Sequence, residues 1–405
     1  MITTSTLLSP FLSLLPSKDV QVSIDAVREN SDESLPLLNV TKSMTADPQS
    51  HTMGDKLIPY VAPKIHSCIQ TNTFSSIFVI GEHLRSHPAL ITSNEKADKP
   101  FNWQRPTASI IKRPEGDVLQ LNVLPGPAYV EHYAALLSTY FASKAFTGSS
   151  MPSVYYQLPS SDAAINLFAA SNLRHLGPVD FAIIGYVDSL HNSTGPGEWD
   201  TATQTLDGEE PPLFAWKKRV LPDKSVVAFV GCTACYWGDI GGQLIRSLSE
   251  LNGVREAIYV GKLGTLNERY LPNSVLATGS SSIFMDGGVV EWDSILKRAV
   301  QGSSIVKDGV HLTVPTTIYE TKEWAREMKT KGDWVDPEIG NMARISKEKG
   351  VGFGFLHVVT DNLSREGLEG LVNERKSTIV AARKELLCEV EIVLERYFEE
   401  KMNIV

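Results

Sequence analysis

Two neighbouring stretches decide the fold: Trp334-Val-Asp-Pro-Glu338-Ile-Gly-Asn-Met-Ala343 and Val351-Gly-Phe-Gly-Phe-Leu-His-Val-Val-Thr360-Asp361-Asn362. The first places a proline and two acids where a helix begins, which is typical of a first helical turn. The second is an almost continuously apolar strand that ends in Thr360-Asp361-Asn362. Apolar strands that alternate with helices predict an α/β sheet covered on both faces. A carboxylate after such a strand lies where open sheets bind ligands, although an Asp that caps a turn fits the pattern equally well.

The same alternation extends outward from these stretches. Strands are predicted at 76–80, 117–124, 180–185, 225–230, 256–260, 274–278 and 311–314, and helices at 129–145, 240–251, 321–329, 337–349 and 368–400. Residues 1–60 are rich in Ser, Thr, Asp, Asn and Pro and predict a disordered leader. An N-terminal α/β extension over 61–175 and a larger α/β domain over 176–405 follow.

Composition excludes several classes of protein. The 405 residues carry 38 Lys and Arg against 47 Asp and Glu, a net charge of −9, whereas a nucleic-acid binder normally presents a basic face. No apolar run reaches the roughly 18 residues that a membrane span needs. Four cysteines are too few for a disulfide scaffold. We therefore expect a cytoplasmic protein that binds neither nucleic acid nor membrane.

Most standard catalytic motifs are absent from the sequence. Gly261-Lys262 lacks the remainder of a P-loop, no G-x-S-x-G elbow occurs, and no two histidines have the spacing of a metal pair. Cys232 and Cys235 form a C-x-x-C motif, but zinc would require a second pair. We predict no metal and no cofactor, and structural or substrate-facing thiols rather than redox chemistry.

Five segments together resemble the nucleoside phosphorylase superfamily. Ile318-Tyr319-Glu320, residues 334–343 and 356–362 are similar in order and spacing to its aromatic-rich segment, its V-E-M-E-A helix start and its strand ending in V-S-D. Residues 224–266 resemble its strand, glycine-turn helix and following strand, and 373–378 its A-E-R-Q-T-T helix. The resemblance covers about 180–405. It implies a central mixed, twisted, partly barrel-like sheet flanked by helices, a homo-oligomer and a nucleoside-like small-molecule substrate.

The family reaction is cleavage of an N-glycosidic bond. The ribosyl carbon becomes cation-like and the departing base needs a proton. By resemblance, Asp361 would protonate the base, Arg375 would orient Asp361, and Glu338 would accept the ribose hydroxyls. The remaining implied substrate contacts lie along the base and the sugar: Ile318, Tyr319, Thr360 and Pro337.

The phosphate-binding end departs from the family pattern. The family arginine falls on Tyr259, its Ser/Thr falls on Lys262, and no G-D-P-x-R loop is visible near 184–188. Lys262 and Gly231 remain candidates for an anion or second-substrate site. Because a phosphate dianion needs several cationic or N–H donors, we expect a reaction that does not depend on phosphate.

Three hypotheses about function stay open. The first is cleavage or transfer at an N-glycosidic bond, with a nucleotide substrate still possible because AMP nucleosidases similarly carry an N-terminal extension. The second is other acid–base chemistry on a small metabolite by Asp361 and Arg375. The third is a non-catalytic ligand-binding protein, which the costly group of Glu338, Asp361 and Arg375 argues against.

Overall fold

The computed structural model describes residues 35–85, 90–92, 99–145, 151–202, 212–365 and 376–402. Within these residues the strands form two separate sheets, of five and eleven strands. No helix in these ranges is both long enough and apolar enough to cross a bilayer.

The smaller sheet has the strand order β1-β5-β2-β4-β3. Its strands are β1 (Leu37–Asn39), β2 (Ser76–Gly81), β3 (Thr107–Ile111), β4 (Val118–Val123) and β5 (Ser153–Gln157). The three central strands β5, β2 and β4 are parallel, and the edge strands β1 and β3 are antiparallel to their neighbours. Every residue of β4 is buried, as expected for a strand covered on both faces.

The larger sheet is organised around β9. Its strands are β6 (Phe181–Gly185), β7 (Phe214–Val220), β8 (Val226–Cys232), β9 (Glu256–Thr265), β10 (Leu276–Thr278), β11 (Ser281–Phe284), β12 (Val289–Glu291), β13 (Val306–Asp308), β14 (His311–Thr313), β15 (Trp334–Asp336) and β16 (Gly352–Asn362). One edge of β9 pairs along its length with β16. The other edge is shared, because residues 256–260 pair with β6 and residues 264–265 pair with β15. The sheet therefore branches and mixes parallel with antiparallel pairs, which confirms the predicted α/β class.

Nine described helices connect and cover the two sheets. They are α1 (Leu57–Val61), α2 (Ser67–Thr71), α3 (Pro127–Ala145), α4 (Ala163–Ala170), α5 (His191–Thr194), α6 (Asp239–Asn252), α7 (Lys322–Met328), α8 (Ile339–Lys349) and α9 (Ser377–Met402). The long helix α9 buries Val390, Leu394 and Phe398 in a cluster that also contains Val260 and Val358. Helices therefore cover the sheet strands that lead to the candidate site.

The predicted leader requires a correction. Residues 35–60, which the polar composition assigned to it, form β1, paired with β5, and most of α1, in which Leu57 is fully buried. A few apolar residues suffice here because β5, α3 and the segment around 317 supply the surface against which they pack. The remainder of the predicted leader, residues 1–34, lies outside the described residues.

One segment of the N-terminal part is added to the end of β8. The backbone N–H groups of Asn102 and Trp103 donate to the carbonyls of Cys232 and Thr233, at 2.9 and 3.0 Å. This pairing carries the preceding residue, Phe101, onto the carboxyl end of β8. The sequence of either partner shows no sign of the contact, because about 130 residues separate them.

Candidate active site

Asp336 ends β15 and starts α8. Its Oδ1 accepts the backbone N–H groups of Glu338 and Ile339, both at 2.9 Å. These are two of the donors that a first helical turn leaves without an intrahelical partner. The helix start predicted from Pro337 and the two acids is therefore present. Asp336 caps the first turn of α8, so the side chain of Glu338 is not needed as a cap and can make other contacts.

Two buried histidines face Asp336. The Nε2 of His311 lies 3.0 Å from its Oδ1, and the Nε2 of His357 lies 3.6 Å from its Oδ2. Burial alone raises the pKa of Asp336, but its contact with His311 and the hydrogen bond from the N–H of Ile339 outweigh burial and leave the pKa below its usual value. Asp336 is therefore held as a carboxylate inside the sheet.

The histidines occupy a polar interior formed by separate strands. On the far side of the His311 ring, Nδ1 lies 2.8 Å from the Oγ of Ser282, which in turn lies 2.8 Å from the Oγ1 of Thr313. Burial lowers the pKa of His357 to about 4, so this ring is neutral at physiological pH. Its position is confined by Gly261, where an added Cβ would lie 2.6 Å from Nε2.

Glu338 lies at the start of α8 and faces the loop between β8 and α6. Its Oε1 accepts the backbone N–H of Gly238 at 3.4 Å, and its side chain is buried. Burial, and then the charge of Asp336, raise the pKa of Glu338 well above its usual value. The raised pKa favours the protonated form of Glu338, in which the carboxyl group can donate as well as accept a hydrogen bond.

Asp361 lies at the carboxyl end of β16, opposite Gly264 of β9. The Oγ1 of Thr360 donates to its Oδ1 at 3.0 Å, and its Oδ2 lies 3.0 Å from where a Cβ on Gly264 would be. A bulge at Thr360 precedes it in the pairing with β9. Bulges are common beside functional sites because they redirect a side chain.

Asp361 and Asp336 reach the end of the sheet from different faces. Asp361 shares its side of the sheet with Val335, which also pairs with Gly264. Successive side chains of a strand point to opposite faces, so Asp336 points away from Val335. Strand β15 runs antiparallel to β9 and β16, so Asp336 at the end of β15 and Asp361 at the end of β16 also belong to strand ends that point in opposite directions.

A buried acid that the sequence analysis did not select lies close to Asp361. Glu320 follows the Ile318-Tyr319 pair and is 4% exposed. Burial raises the pKa of Glu320 well above its usual value, and the charge of Asp361 raises it further. The pair therefore favours one protonated carboxyl group beside one ionised group, an arrangement that suits proton transfer.

The segment with Ile318 and Tyr319 is held by the N-terminal part of the chain. The hydroxyl of Tyr319 donates to Oε1 of Glu131 at 2.7 Å, and Nδ1 of His132 lies 2.7 Å from Oγ1 of Thr316. Both partners belong to α3. The ring of His132 also stacks on Trp237 with ring centroids 3.9 Å apart. Helix α3 thus forms a wall beside the two residues predicted to line the base pocket.

The two predicted anion residues differ in their surroundings: Gly231 is covered, whereas Lys262 lies on the same face of β9 as Gly264, the partner of Asp361. An added Cβ at Gly231 would lie 2.2 Å from the ring of Phe101, so an aromatic side chain covers this glycine. Lys262 lies on the opposite face of β9 from Tyr259, since the two positions differ by an odd number, and its Nζ is 5.6 Å from the ring centre of Tyr186. Tyr259 itself packs edge-on against His357, with centroids 4.5 Å apart.

The remaining candidates divide as follows. Pro337 is buried, and its carbonyl accepts a hydrogen bond from the side chain of Asn341. Arg375, the proposed partner of Asp361, lies outside the described residues. Among the residues that sequence reasoning missed, only His357 left a signal, as the one ionisable residue inside an apolar strand. His311, Ser282 and Phe101 have no local motif.

Comparisons with known proteins give distant matches. No protein-family model matches the chain. Over 261 residues the chain is 23% identical to a curated protein of Cordyceps militaris named oxidoreductase cns1, a match that covers 61% of this chain. The match covers 32% of that protein, so the chain spans about a third of the length of this relative.

Solved structures of nucleoside-processing proteins also match. Futalosine hydrolase of Helicobacter pylori strain 26695 is 17% identical with a TM-score of 0.40, covering 56% of this chain and 99% of its own. Purine nucleoside phosphorylase from Toxoplasma gondii is 13% identical with a TM-score of 0.43, covering 57% and 94%. A putative methylthioadenosine nucleosidase from Weissella paramesenteroides is 14% identical with a TM-score of 0.41, covering 55% and 98%. At this level of similarity the matches do not carry a site over to this chain.

Proposed function

We propose that this protein is an enzyme that cleaves or transfers at the N-glycosidic bond of a nucleoside or nucleoside-like small molecule. The observation that carries the proposal is the set of buried carboxyl groups near the ends of β15 and β16. Glu338 lies close to Asp336, and Glu320 lies close to Asp361. This arrangement offers hydrogen bonds to sugar hydroxyls on one side and a proton for a leaving base on the other.

In this proposal Asp361 is the general acid. A departing base gains negative charge, and a carboxylic acid within hydrogen-bond reach lowers the barrier by protonating it. Glu320 can share that proton, because its own pKa is raised by burial and by the charge of Asp361. Thr360 orients the acid through its 3.0 Å bond to Oδ1.

The opposite end of the site supports a nucleophile other than phosphate. Phe101 occupies the space in front of Gly231, and a phenyl ring offers no donors to a phosphate dianion. Lys262 lies on the other face of β9 from Tyr259. If water is the nucleophile, the enzyme is a hydrolase. If the sugar is passed to a second molecule instead, the enzyme is a transferase.

The matched segment is about a third of the length of the curated relative, and the activity of that relative is not carried over to this chain. Other acid–base chemistry on a small metabolite would use the same carboxyl groups. That chemistry would release no free base, whereas cleavage of an N-glycosidic bond does.

The test is a panel of purine and pyrimidine nucleosides and their 5′-monophosphates, incubated with purified full-length protein. Each substrate is assayed in phosphate-free buffer and with millimolar phosphate, and base and sugar products are identified by mass spectrometry. Release of a free base and a free sugar at a rate independent of phosphate is the expected result. A sugar 1-phosphate product with saturable phosphate dependence would make it an ordinary phosphorylase, and no base release from any substrate would refute the proposal.

A further inference from the structure

A separate pocket lies at the opposite end of β16 from Asp361. It is lined by Gly352, the first residue of β16, and by Thr278 and Asp308, the last residues of β10 and β13. Strands β10 and β13 are parallel neighbours, and α/β sheets commonly bind ligands just beyond the carboxyl ends of such strands. Gly352 and Asp361 are nine residues apart on one strand, so the pocket is roughly 30 Å from Asp361.

The pocket has room for a small molecule. Its volume is about 890 Å³, and small-molecule sites typically measure about 300–1,000 Å³. Helix α8 forms one wall through Ser346 and Lys347, and residues between 291 and 300 form another. In that second wall the ring of Trp292 packs on Phe353 with centroids 5.8 Å apart, so part of the lining is apolar.

Three polar side-chain atoms of the lining are buried and have no hydrogen-bond partner among the described residues. They are Nε1 of Trp292 and the hydroxyl oxygens of Ser294 and Ser346. Ser346 is 1% exposed, so bulk solvent does not satisfy its hydroxyl group. Buried polar groups of native proteins are nearly always hydrogen-bonded, and each exception calls for an explanation. Three exceptions in the lining of one pocket indicate that a bound molecule supplies their partners.

These groups define the chemistry of that molecule. The indole N–H of Trp292 can only donate, so the molecule must offer an acceptor. The carboxylate of Asp308 can only accept, so the molecule must also offer a donor. The hydroxyl groups of Ser294 and Ser346 can do either. A ligand hydroxyl group suits all of them, because it both donates and accepts.

The charges of the lining favour a neutral ligand. Three acidic and two basic side chains line the pocket, so their charges nearly balance. One of the two cations, Nζ of Lys347, also donates to the carbonyl oxygen of Glu291 at 3.3 Å. The excess of one carboxylate opposes a phosphorylated or other anionic molecule, whereas a neutral molecule leaves the balance unchanged.

We infer that this pocket binds a neutral polyhydroxylated molecule of the size of a mono- or disaccharide. Its hydroxyl groups bond to Trp292, Ser346 and Asp308, and its C–H groups pack on the apolar part of the lining. The inference is independent of the proposed function, because Glu320, Glu338 and Asp361 are not among the residues that line the pocket.

The experiment measures the binding of D-glucose, D-ribose and maltose to the full-length protein, by saturation-transfer difference NMR and calorimetric titration. Each measurement is repeated on Trp292→Phe, which removes the indole N–H and keeps an aromatic ring, and on Ser346→Ala. The matched control is Ser247→Ala. Ser247 is also 1% exposed, also lies on a helix and also has a hydroxyl group without a partner in the described ranges, but it does not line the pocket.

We expect at least one of the three sugars to bind the wild-type protein. Trp292→Phe and Ser346→Ala should each weaken that binding about five- to tenfold, which corresponds to the loss of one hydrogen bond. Ser247→Ala should leave it unchanged. The Tm of every variant is measured alongside, so that a loss of binding through unfolding is recognised.

Three results would overturn the inference. The first is the absence of binding by all three sugars. The second is binding that neither pocket variant weakens at wild-type Tm, or that Ser247→Ala weakens as much as Ser346→Ala does. The third comes from two further probes, adenosine and glucose 6-phosphate: if one of them binds in place of the sugars and loses affinity in the pocket variants, the pocket takes another class of ligand. Base release from nucleosides is measured separately, so the proposed function stands or fails on its own.

Discussion

The two ends of the candidate active site differ in how they are built. The acidic end is made of residues from β15, β16 and the segments beside them, and its carboxyl groups are buried with raised or lowered pKa values. The opposite end, at Gly231, is covered by Phe101 from a part of the chain that pairs with β8. Perturbed carboxyl groups are costly to bury and mark functional sites. An aromatic ring packed on a glycine marks a filled core.

The resemblance to the family is therefore a better guide to functional residues at the acidic end than at the Gly231 end. At the acidic end the predicted Glu338 lies near Asp336, which is faced by His311 and His357, and the predicted Asp361 lies near Glu320. At the other end the predicted residues meet aromatic rings. Changes at the acidic end should therefore alter turnover, and changes at the Gly231 end should alter stability.

The largest expected effect is on turnover at the acidic end. Asp361→Asn removes the proposed proton donor and should lower kcat about 10²–10⁴-fold, the usual contribution of general acid catalysis. Tm should change little, because Asn keeps the shape of the side chain. Asp293→Asn, at an exposed position, is the matched control for kcat and Tm. Wild-type kcat in the Asp361 variant would remove Asp361 from the mechanism.

The next effect tests the Gly231 end. Gly231→Ala places a Cβ against the ring of Phe101 and should lower the free energy of unfolding by about 1–3 kcal/mol, as overpacking usually does. Phe101→Leu gives up part of that contact. Chemical denaturation of both single variants and the double variant gives the coupling. The double variant should lose less stability than the sum of the two single losses.

Additive losses would instead show that the ring of Phe101 does not occupy the space beside Gly231. The space beside Gly231 would then be open to an anion, and the Gly231 end would no longer differ from the acidic end in being covered.

A pH-dependent effect of similar size concerns His132, between the two ends. Burial lowers its pKa from 6.5 to about 3. The folded protein therefore keeps the ring neutral while the unfolded chain takes up a proton below pH 6.5, so acid favours unfolding. Between pH 6.5 and 5 this costs about 2 kcal/mol of stability.

His132→Asn keeps a polar group near Nδ1 and should flatten that part of the stability profile by about this amount, while lowering stability at pH 7 because the stacking on Trp237 is lost. His175→Gln, at an exposed position, should leave the slope unchanged. A slope in His132→Asn equal to that of the wild type would show that His132 is protonated in the folded protein.

The smallest effect has the opposite sign. Glu338 has a raised pKa, so the folded protein retains a proton that the unfolded chain loses above pH 4.5, and stability falls as pH rises from there through the pKa of the folded protein. Glu338→Gln cannot ionise and should raise Tm by a few degrees at pH 8 while lowering turnover. Glu323→Gln, on the exposed side of α7, is the control. A lower Tm for Glu338→Gln would mean that its carboxylate is stabilised by a charge near it.

Local patterns predicted much of the fold. The apolar run at 352–359 became β16, the periodicity at 129–145 became α3, and the capping pattern around Pro337 became the start of α8. Each is decided by residues close together in sequence. The segment 35–60 was assigned wrongly, because its few apolar side chains are ordered by distant surfaces rather than by their own pattern.

The candidate site was less accessible to sequence reasoning. Asp336 and Glu338 were visible in their helix start, but His311 and Ser282 come from strands that meet only when the sheet forms. The cover over Gly231 is a tertiary contact of Phe101 with no compositional signature. The faces on which Lys262 and Asp361 lie depend on strand register and on one bulge, neither of which the residue types reveal.

The hydrogen bonds that hold the segment around Ile318 and Tyr319 also bear on the order of folding. His132 and Thr316 are 184 residues apart in sequence, Tyr319 and Glu131 are 188 apart, and His51 and Thr317 are 266 apart. Contacts of such separation form only after the loop entropy of the intervening chain has been overcome, and they slow folding. We therefore expect the segment around Ile318 and Tyr319 to acquire its final shape late in folding.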